Sequence, residues 1–518
     1  MKKDFLLGAW ILRNFFKTVA VVTVFSVSEK FLGFLYRIFL SRTIDAEGMG
    51  LYQVALSVFA LLLTVISSGT PITVSRLMTK YKAEGDTMRV HKIITAGLSV
   101  TLFTALPVCA VFFIFKNHLG FLFADDRCVS IFLVVLPGLI FTSLYSVLRG
   151  VFWGNKDFLP YSIIELVEEI CMIVVGIVLI SLSSNVFQGA FNAGVAVLVS
   201  YVFSFSLATF VFFFRKNKLK NPISELKPLI VSSAPVTAMR TANSFANSLV
   251  SIILPLRLIS SGLTESQAMS VFGIAMGQSI PLLFAPTTLI GSFTLVLVPE
   301  MAENYYKKKH SNLKRDIEKA IKFSVTVACL FIPTFAVCGE EIGLFVFGNA
   351  ESGRYLSVSA FLMLFMSLSN ITTSMLNSIG LENKTLLFFI VGAVFMLLSV
   401  WLLPQYLGIY SLIVGFTFVF GLTTLLNLIL LNKNCVQKPR FLKFTFLAVA
   451  FILPTVILGL LIKNLLLPVL GTMFTIIVCA IVLTVFNLLI YICFDLIKID
   501  ILKTGIKGIL PFKKKRAV

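Results

Sequence analysis

Long apolar runs alternate along this chain with short polar stretches rich in lysine, arginine and turn residues. The runs cover residues 18–42, 51–77, 93–115, 129–152, 161–182, 186–214 and 229–258, then 268–298, 321–337, 356–379, 385–403, 407–431, 444–462 and 467–496. Each approaches or exceeds the roughly 20 apolar residues with which an α-helix crosses the ~30 Å hydrocarbon core. The longer runs leave room for tilt or a kink. The pattern predicts an all-α membrane protein of about fourteen transmembrane helices. Pro107, Pro137, Pro235, Pro255, Pro281, Pro286 and Pro333 fall inside the runs. Each removes a backbone donor, which a membrane helix tolerates where its neighbours compensate.

Composition supports this reading. Of the 518 residues 58% are hydrophobic and 13% charged, against about a quarter charged in a soluble domain, and no segment reads as a separate soluble domain. The net charge of +20 sits in short loops and tails, where it sets topology. No long basic region offers interleaved aromatics to bases, so nucleic acid is not an expected partner. With the N-terminus placed in the cytoplasm, cytoplasmic segments hold 35 of the 44 Lys and Arg and outer segments hold 6; Lys30, Arg37 and Arg240 remain within spans. This asymmetry predicts an even number of spans with both termini cytoplasmic. Lys2 and Lys3 precede the first apolar run without a convincing cleavage site, which reads as a first helix rather than a removed signal. The eight cysteines form no CxxC, and His91, His118 and His310 lie far apart. No metal or other cofactor is expected, apart from a coupling ion, proton or sodium.

Two weak internal matches suggest a repeat. Gly48-Met-Gly-Leu-Tyr-Gln-Val-Ala55 resembles Ala268-Met-Ser-Val-Phe-Gly-Ile-Ala275, and Asn155-Lys156 resembles Asn383-Lys384. An offset of about six helices predicts two similarly oriented six-helix lobes, residues 1–215 and 216–432. Residues 433–518 add two helices and a basic tail. Repeats related by an axis along the membrane normal are a transporter architecture. The tail, Lys-Lys-Lys-Arg at 513–516, is suited to anionic lipid headgroups.

Charges inside the runs carry the candidate chemistry. A charge at the bilayer centre costs roughly 2.5–3.5 kcal/mol, so Glu29, Lys30 and Arg37 together would cost on the order of 8–10 kcal/mol facing lipid at mid-depth. Lys30 and Arg37 are seven residues apart and fall within about 20° on one helix face. They lie some 10 Å apart, with Gly33 between them to let a bulky group near the backbone. That face can present two cations to an anion. The bland alternative is that Arg37 snorkels to the outer interface while Glu29 and Lys30 neutralise each other. Arg240, in the seventh span, either shares the cavity or snorkels to the cytoplasmic side. Glu165, Glu168 and Glu169 in the fifth span share a face at i, i+3/i+4 spacing. Glu165 is close enough to the helix start for the dipole and headgroup water to stabilise it; Glu168 is deeper and, with Glu29, is a candidate for ion coupling or gating.

The strings Lys30-Phe-Leu-Gly-Phe-Leu-Tyr-Arg37, Ala46-Glu-Gly-Met-Gly-Leu-Tyr-Gln53, Ser68-Gly-Thr-Pro-Ile-Thr-Val-Ser-Arg76, Leu148-Arg-Gly-Val-Phe-Trp-Gly154 and Leu344-Phe-Val-Phe-Gly348 resemble the stage V sporulation protein B group. These are polysaccharide-biosynthesis exporters of the multidrug/oligosaccharidyl-lipid/polysaccharide (MOP) superfamily. The similarity runs in order over nearly the whole chain. It implies two six-helix lobes plus two C-terminal helices around a V-shaped cavity. It also implies flipping of lipid-linked saccharides, including peptidoglycan precursor, to the outer face. Lys30 and Arg37 match first-helix cations thought to engage the lipid pyrophosphate, and Glu168 matches the family's fifth-span acid. The chain departs from the pattern in three places: Val250 stands where many relatives have an acid, Met172 where a basic residue often follows the fifth-span Glu, and Arg240 where a small residue is usual.

Three functions compete. A flippase for a lipid-linked saccharide needs a cationic, hydrophilic cavity, with the saccharide lipid and membrane lipids as partners of what is expected to be a monomer in a bacterial plasma membrane. A multidrug cation antiporter needs carboxylates and aromatics, and Lys30, Arg37 and Arg240 would repel its cargo. A membrane glycosyltransferase or ligase needs a large outer loop or a carboxylate-metal motif; the outer loops are short, and Asp125-Asp126 is the one acidic pair suggesting metal. No catalytic residues are expected.

Overall fold

The computed structural model describes residues 2–494, and every regular element described is helical. The basic tail at 513–516 lies outside them. In chain order the helices are α1 (Lys2–Thr43), α2 (Asp45–Ser67), α3 (Thr70–Ala83), α4 (Thr87–Ile114), α5 (Asp126–Val135), α6 (Gly138–Gly154), α7 (Phe158–Ser181), α8 (Val186–Phe214), α9 (Ile223–Ser260) and α10 (Glu265–Phe272). A π-helical stretch, Gly273–Ser279, leads to α11 (Ile280–Phe284), α12 (Thr287–Tyr306), α13 (His310–Phe347), α14 (Ala350–Ser359), α15 (Leu362–Ser378), α16 (Glu382–Leu402), α17 (Pro404–Leu407), α18 (Ser411–Asn434), α19 (Leu442–Ala450) and α20 (Ile452–Cys493).

Local chemistry marks the breaks. Asp86 caps α4 by accepting from the Arg89 amide at 2.9 Å, and Asn185 caps α8 through the Gln188 amide at 2.8 Å. Thr264 and Gln267 form a reciprocal capping box on α10. Each satisfies amides that a helix start leaves orphaned. Pro137 opens α6 where it bends 43° from α5, and α14 meets α15 at 57°. Pro281 and Pro286 sit at the starts of α11 and α12, whereas Pro107, Pro235, Pro255 and Pro333 lie inside helices.

Among the described residues nine helices are long and apolar enough to cross a membrane, or eleven if each bent pair is one span. Two further helices, α1 and α7, are of sufficient length but carry Glu29, Lys30 and Arg37, and Glu165, Glu168 and Glu169. Residues 442–493 count as one candidate of 52 residues, about 78 Å at 1.5 Å per residue. That is long enough for two crossings, and Gly471 breaks it with φ 72° and ψ 177°, a conformation open to glycine alone.

The chain forms two compact units, Met1–Gln278 with Leu397–Ser411, and Ser279–Met396 with Leu412–Val518. In the first, α1 packs on α7, α7 on α8, α6 on α3 and α8, and α2 on α9 and α10. The α2–α10 crossing brings together the two strings that suggested a repeat. A Cβ on Gly50 would fall on the Met269 carbonyl, and one on Gly273 on the Ala46 carbonyl. Between helices in lipid there is no hydrophobic drive, so close backbone approach at small residues supplies the attraction. In this unit Glu225 of α9, 2% exposed, accepts from the Tyr81 hydroxyl at 2.6 Å and from Arg89 Nε at 2.9 Å. Arg89 also stacks over the Tyr81 ring, so α9 is tied to α3 and α4.

In the second unit α13 packs on α14, α15 and α20, and α12 on α15. Gly339 and Gly343 of α13, four apart, take Gly353 of α14 against their backbone. Helix α20 shows the inversion a lipid solvent requires. Thr455, Gly459, Thr475, Cys479, Asn487 and Tyr491 turn inward, while Leu453, Ile457, Leu461, Leu465, Ile481, Val485 and Leu489 are exposed. Asn487 accepts from Thr455 Oγ1 at 3.0 Å and donates to the Cys329 carbonyl at 3.1 Å, so the inward polar groups satisfy one another.

One ion pair inside this unit makes a specific prediction. Lys463 Nζ lies 2.6 Å from Glu341 Oε1 and donates to the Val337 carbonyl at 3.0 Å. The side chains are only 17% and 10% exposed. Removing one member leaves a buried charge, typically worth about 3 kcal/mol, whereas removing both is often neutral. Lys463→Met or Glu341→Leu alone is expected to lower the thermal unfolding temperature in detergent, and the double variant to restore most of the loss. A double variant as unstable as the worse single one would show the pair is not the cause.

Candidate functional site

The first helix and its neighbours in the first unit hold a charged cluster inside otherwise apolar sequence. α1 and α7 pack through reciprocal glycines. Gly33 of α1 admits the Glu169 carboxylate, whose Oε1 would lie 2.8 Å from a Cβ there, and Gly176 of α7 admits the Tyr36 ring and hydroxyl. An acid of α7 is thereby held against α1 between Lys30 and Arg37. It is Glu169, one residue beyond the expected Glu168. Since successive residues on a helix point about 100° apart, Glu168 turns towards Ser204 of α8. Its Oε2 is buried without a hydrogen-bond partner among the described residues.

Arg37 is partly buried and donates from Nη1 to the Gly277 carbonyl at 3.0 Å. Gly277 lies in the π-helical stretch, where the wider turn disturbs the regular carbonyl ladder. Arg37 is thus tied to a backbone carbonyl of that stretch. Beside it, Gln278 donates to Ser41 at 2.7 Å, and Tyr52 is within electrostatic range. Among the described residues Arg37 has no carboxylate partner. Lys30 is exposed and makes no hydrogen bond or ion pair there. Glu29 is partly buried and feels Glu165, Lys30 and Arg149.

Arg149 of α6, not among the sequence candidates, completes the cluster. Its Nη1 donates to Glu165 Oε1 at 3.0 Å and its guanidinium lies over the Trp153 ring at 5.2 Å. Glu165 is thus held by an ion pair rather than by its helix dipole alone. The signal for Arg149 was present: it lies one turn inside the run 129–152, but next to a cytoplasmic segment it reads as topology. Arg240 is exposed and donates at 3.4 Å to the Ser68 carbonyl at the α2–α3 break. Its contact is with that break, where Gly69 lets α9 approach closely, and not with Lys30 or Arg37.

The cluster can attract an anion at Lys30 and Arg37, and its crowded carboxylates Glu29, Glu168 and Glu169 can hold a proton or small cation. The acidic pair at 125–126 is engaged otherwise. Asp125 caps α5 and pairs with Arg127 at 2.7 Å, and Arg127 reaches Glu47 at 2.8 Å. Among the described residues no group of three His, Cys, Asp or Glu is placed to hold a metal.

Residues 15–305 match the family model described as polysaccharide biosynthesis protein. The chain is 23% identical over 398 residues to stage V sporulation protein B of Bacillus subtilis (strain 168), covering 74% of this chain and 76% of the relative. It is also 23% identical over 418 residues to lipid II flippase MurJ of the same organism, covering 72% and 74%. In structure it is similar to lipid II flippase MurJ in an inward closed conformation, with TM-score 0.69 at 13% identity over 92% of this chain and 100% of that one. It is similar as well to an inward-facing multidrug resistance MATE family transporter of the MOP superfamily, with TM-score 0.60 at 14% identity over 82% and 96%. The all-α membrane architecture read from the sequence is the fold of these proteins, and the chain belongs to the polysaccharide biosynthesis protein family.

Proposed function

We propose that this protein is a flippase that carries a lipid-linked saccharide of the undecaprenyl-pyrophosphate type from the cytoplasmic to the outer leaflet by alternating access, with lipid II as one such cargo. The observation that carries this reading is the pair of cations of α1, neither of which has an ion-pair partner among the described residues. Arg37 is partly buried and hydrogen-bonded to the Gly277 carbonyl, and among the described residues Lys30 has no hydrogen-bond or ion-pair partner. An intramembrane cation without a counter-ion marks a substrate or ion pathway, and a pyrophosphate supplies the missing charge. A cation exporter would instead place carboxylates alone on that face. The named flippase among the relatives supports the cargo class, and the sporulation protein leaves the saccharide open.

In this reading Lys30 and Arg37 bind the anionic headgroup, with Arg240 as a further basic contact. Glu29 and Glu168, joined by Glu169, couple transport to a proton or sodium ion. The chain works as a transporter rather than an enzyme, as a monomer in the bacterial plasma membrane with both termini in the cytoplasm. The lobes are residues 1–215 and 216–432, with the last two helices and tail at 433–518. The test is reconstitution of purified protein in vesicles, following exposure of lipid II at the far leaflet. Accelerated exposure is expected. Equal rates with and without the protein would remove lipid II from the cargo class, and failure with a panel of undecaprenyl-pyrophosphate saccharides would overturn the reading.

A further inference from the structure

Helix α15 is unusual among the spans of the second unit. Ser367, Ser369, Asn370, Thr372, Thr373, Ser374, Asn377 and Ser378 make up almost half of its 17 residues, and it carries no charge. In hydrocarbon such groups must find partners or line a water-filled space. Part of the set does find partners. Thr372 donates to the Leu368 carbonyl at 2.7 Å, Ser374 to the Asn370 carbonyl at 2.9 Å, and Asn427 of α18 donates to Thr373 Oγ1 at 3.0 Å. The side chains of Ser369 and Asn370 have no hydrogen-bond partner among the described residues. Asn370 is exposed although it sits eight residues from each end of α15, about 12 Å along the axis.

These groups open on a cavity of about 220 Å³, lined by Thr287, Ser369, Asn370, Thr373 and Ser374 together with Phe284, Met366 and Phe420. The Phe284 and Phe420 rings meet edge to face at 6.5 Å. All of these residues belong to the second unit. No lining residue is charged. The volume is below the ~300–1,000 Å³ of a drug-sized site, so it suits one small rigid ring.

We propose that this cavity is a binding site for a neutral sugar ring, and, resting on the function proposed above, that the ring is part of the saccharide of the carried lipid. The chemistry matches on both counts. An aromatic face carries negative quadrupole charge that attracts the polarised C–H face of a pyranose. A carboxamide both donates and accepts, so Asn370 can engage two adjacent sugar hydroxyls while Ser369 takes a third contact. A drug cation would find no carboxylate here, and a phosphate no cation.

The test uses the full-length protein in nanodiscs and two probes, undecaprenyl pyrophosphate and the same lipid bearing an N-acetylhexosamine-containing saccharide. The wild type is expected to bind the glycosylated probe about tenfold more tightly, the value of one or two net hydrogen bonds. Asn370→Leu and Phe420→Leu should each erase that difference while leaving affinity for the sugar-free probe unchanged, and either variant suffices if the other fails to fold. If both variants keep the full sugar-dependent gain, or lose affinity for the two probes equally, the sugar site is overturned while the flippase reading stands. Binding of neither probe by the wild type would overturn both.

Discussion

Arg37→Ala is expected to abolish complementation of a flippase-deficient strain while the protein still inserts in the membrane. Hydrogen bonds to charged groups are worth about 1.5–3 kcal/mol each, and a guanidinium engages an anionic oxygen pair with two of them. Loss of both weakens headgroup binding by at least about a hundredfold. The folded state loses much less, because Arg37 contributes one bond to the Gly277 carbonyl at 3.0 Å, a group close to a π-helical stretch that water in a cavity can also serve. Arg37→Lys keeps the charge and loses the planar fork, so intermediate activity is expected. Lys30→Ala is expected to reduce activity as well, with no change in stability, since Lys30 is exposed and makes no hydrogen bond or ion pair among the described residues. Membrane level, complementation and headgroup affinity measured on the same variants separate folding from function. Full activity in both alanine variants would sink the anion site on α1.

Gly50→Ala should damage assembly rather than transport alone. The added methyl would fall on the Met269 carbonyl, and the neighbouring carbonyl carbon would lie at 2.7 Å. Neither is a side chain that can rotate away, so α2 and α10 must separate. Overpacking of a well-fitted interior typically costs 1–3 kcal/mol, and a clash with backbone belongs at the upper end. Gly273→Ala, which meets the Ala46 carbonyl from the other helix, should behave alike. Gly33→Ala is the control. Its obstacle is the end of the Glu169 side chain, which can swing aside, so the fold should survive while the position of that acid changes. Size-exclusion profiles and thermal unfolding in detergent read the contrast. A Gly50→Ala protein as monodisperse and heat-stable as the wild type would show that the crossing is looser than its geometry implies.

The membrane architecture was legible from hydropathy because lipid leaves a chain few options, and a helix satisfies its own backbone bonds within one segment. Where helices bend was partly legible. Pro137, Pro281 and Pro286 stand at helix starts as a missing donor requires, but Pro107 and Pro333 lie inside long helices, and nothing local distinguishes the two outcomes. The charged helices α1 and α7 stood out for the same reason that they resist simple counting, as their acids and bases interrupt apolar sequence. The choice between Glu168 and Glu169 was not legible. Both belong to the same run, and only the packing of α7 on α1, set by Gly33 and Gly176, turns Glu169 to the first helix and Glu168 to α8. Arg149 was visible as a residue but not as a member of the cluster, because its place depends on Glu165 from the next helix. Arg240 shows the reverse. Its charge within a span suggested a shared cavity, and its contact is with the Ser68 carbonyl.

By itself, then, the sequence determined the solvent, the helical class and the presence of cations in the first span. These follow from one-dimensional quantities, namely transfer cost and charge per residue. Tertiary structure alone decided which charges are neutralised, with Arg149 paired to Glu165 and Arg37 left to a carbonyl. It alone gathered the uncharged polar groups of α15 with Phe284 and Phe420 into one cavity. The reason is physical: pairing and enclosure depend on which helix faces meet, and in lipid that is settled by close contacts at small residues, which hydropathy does not register.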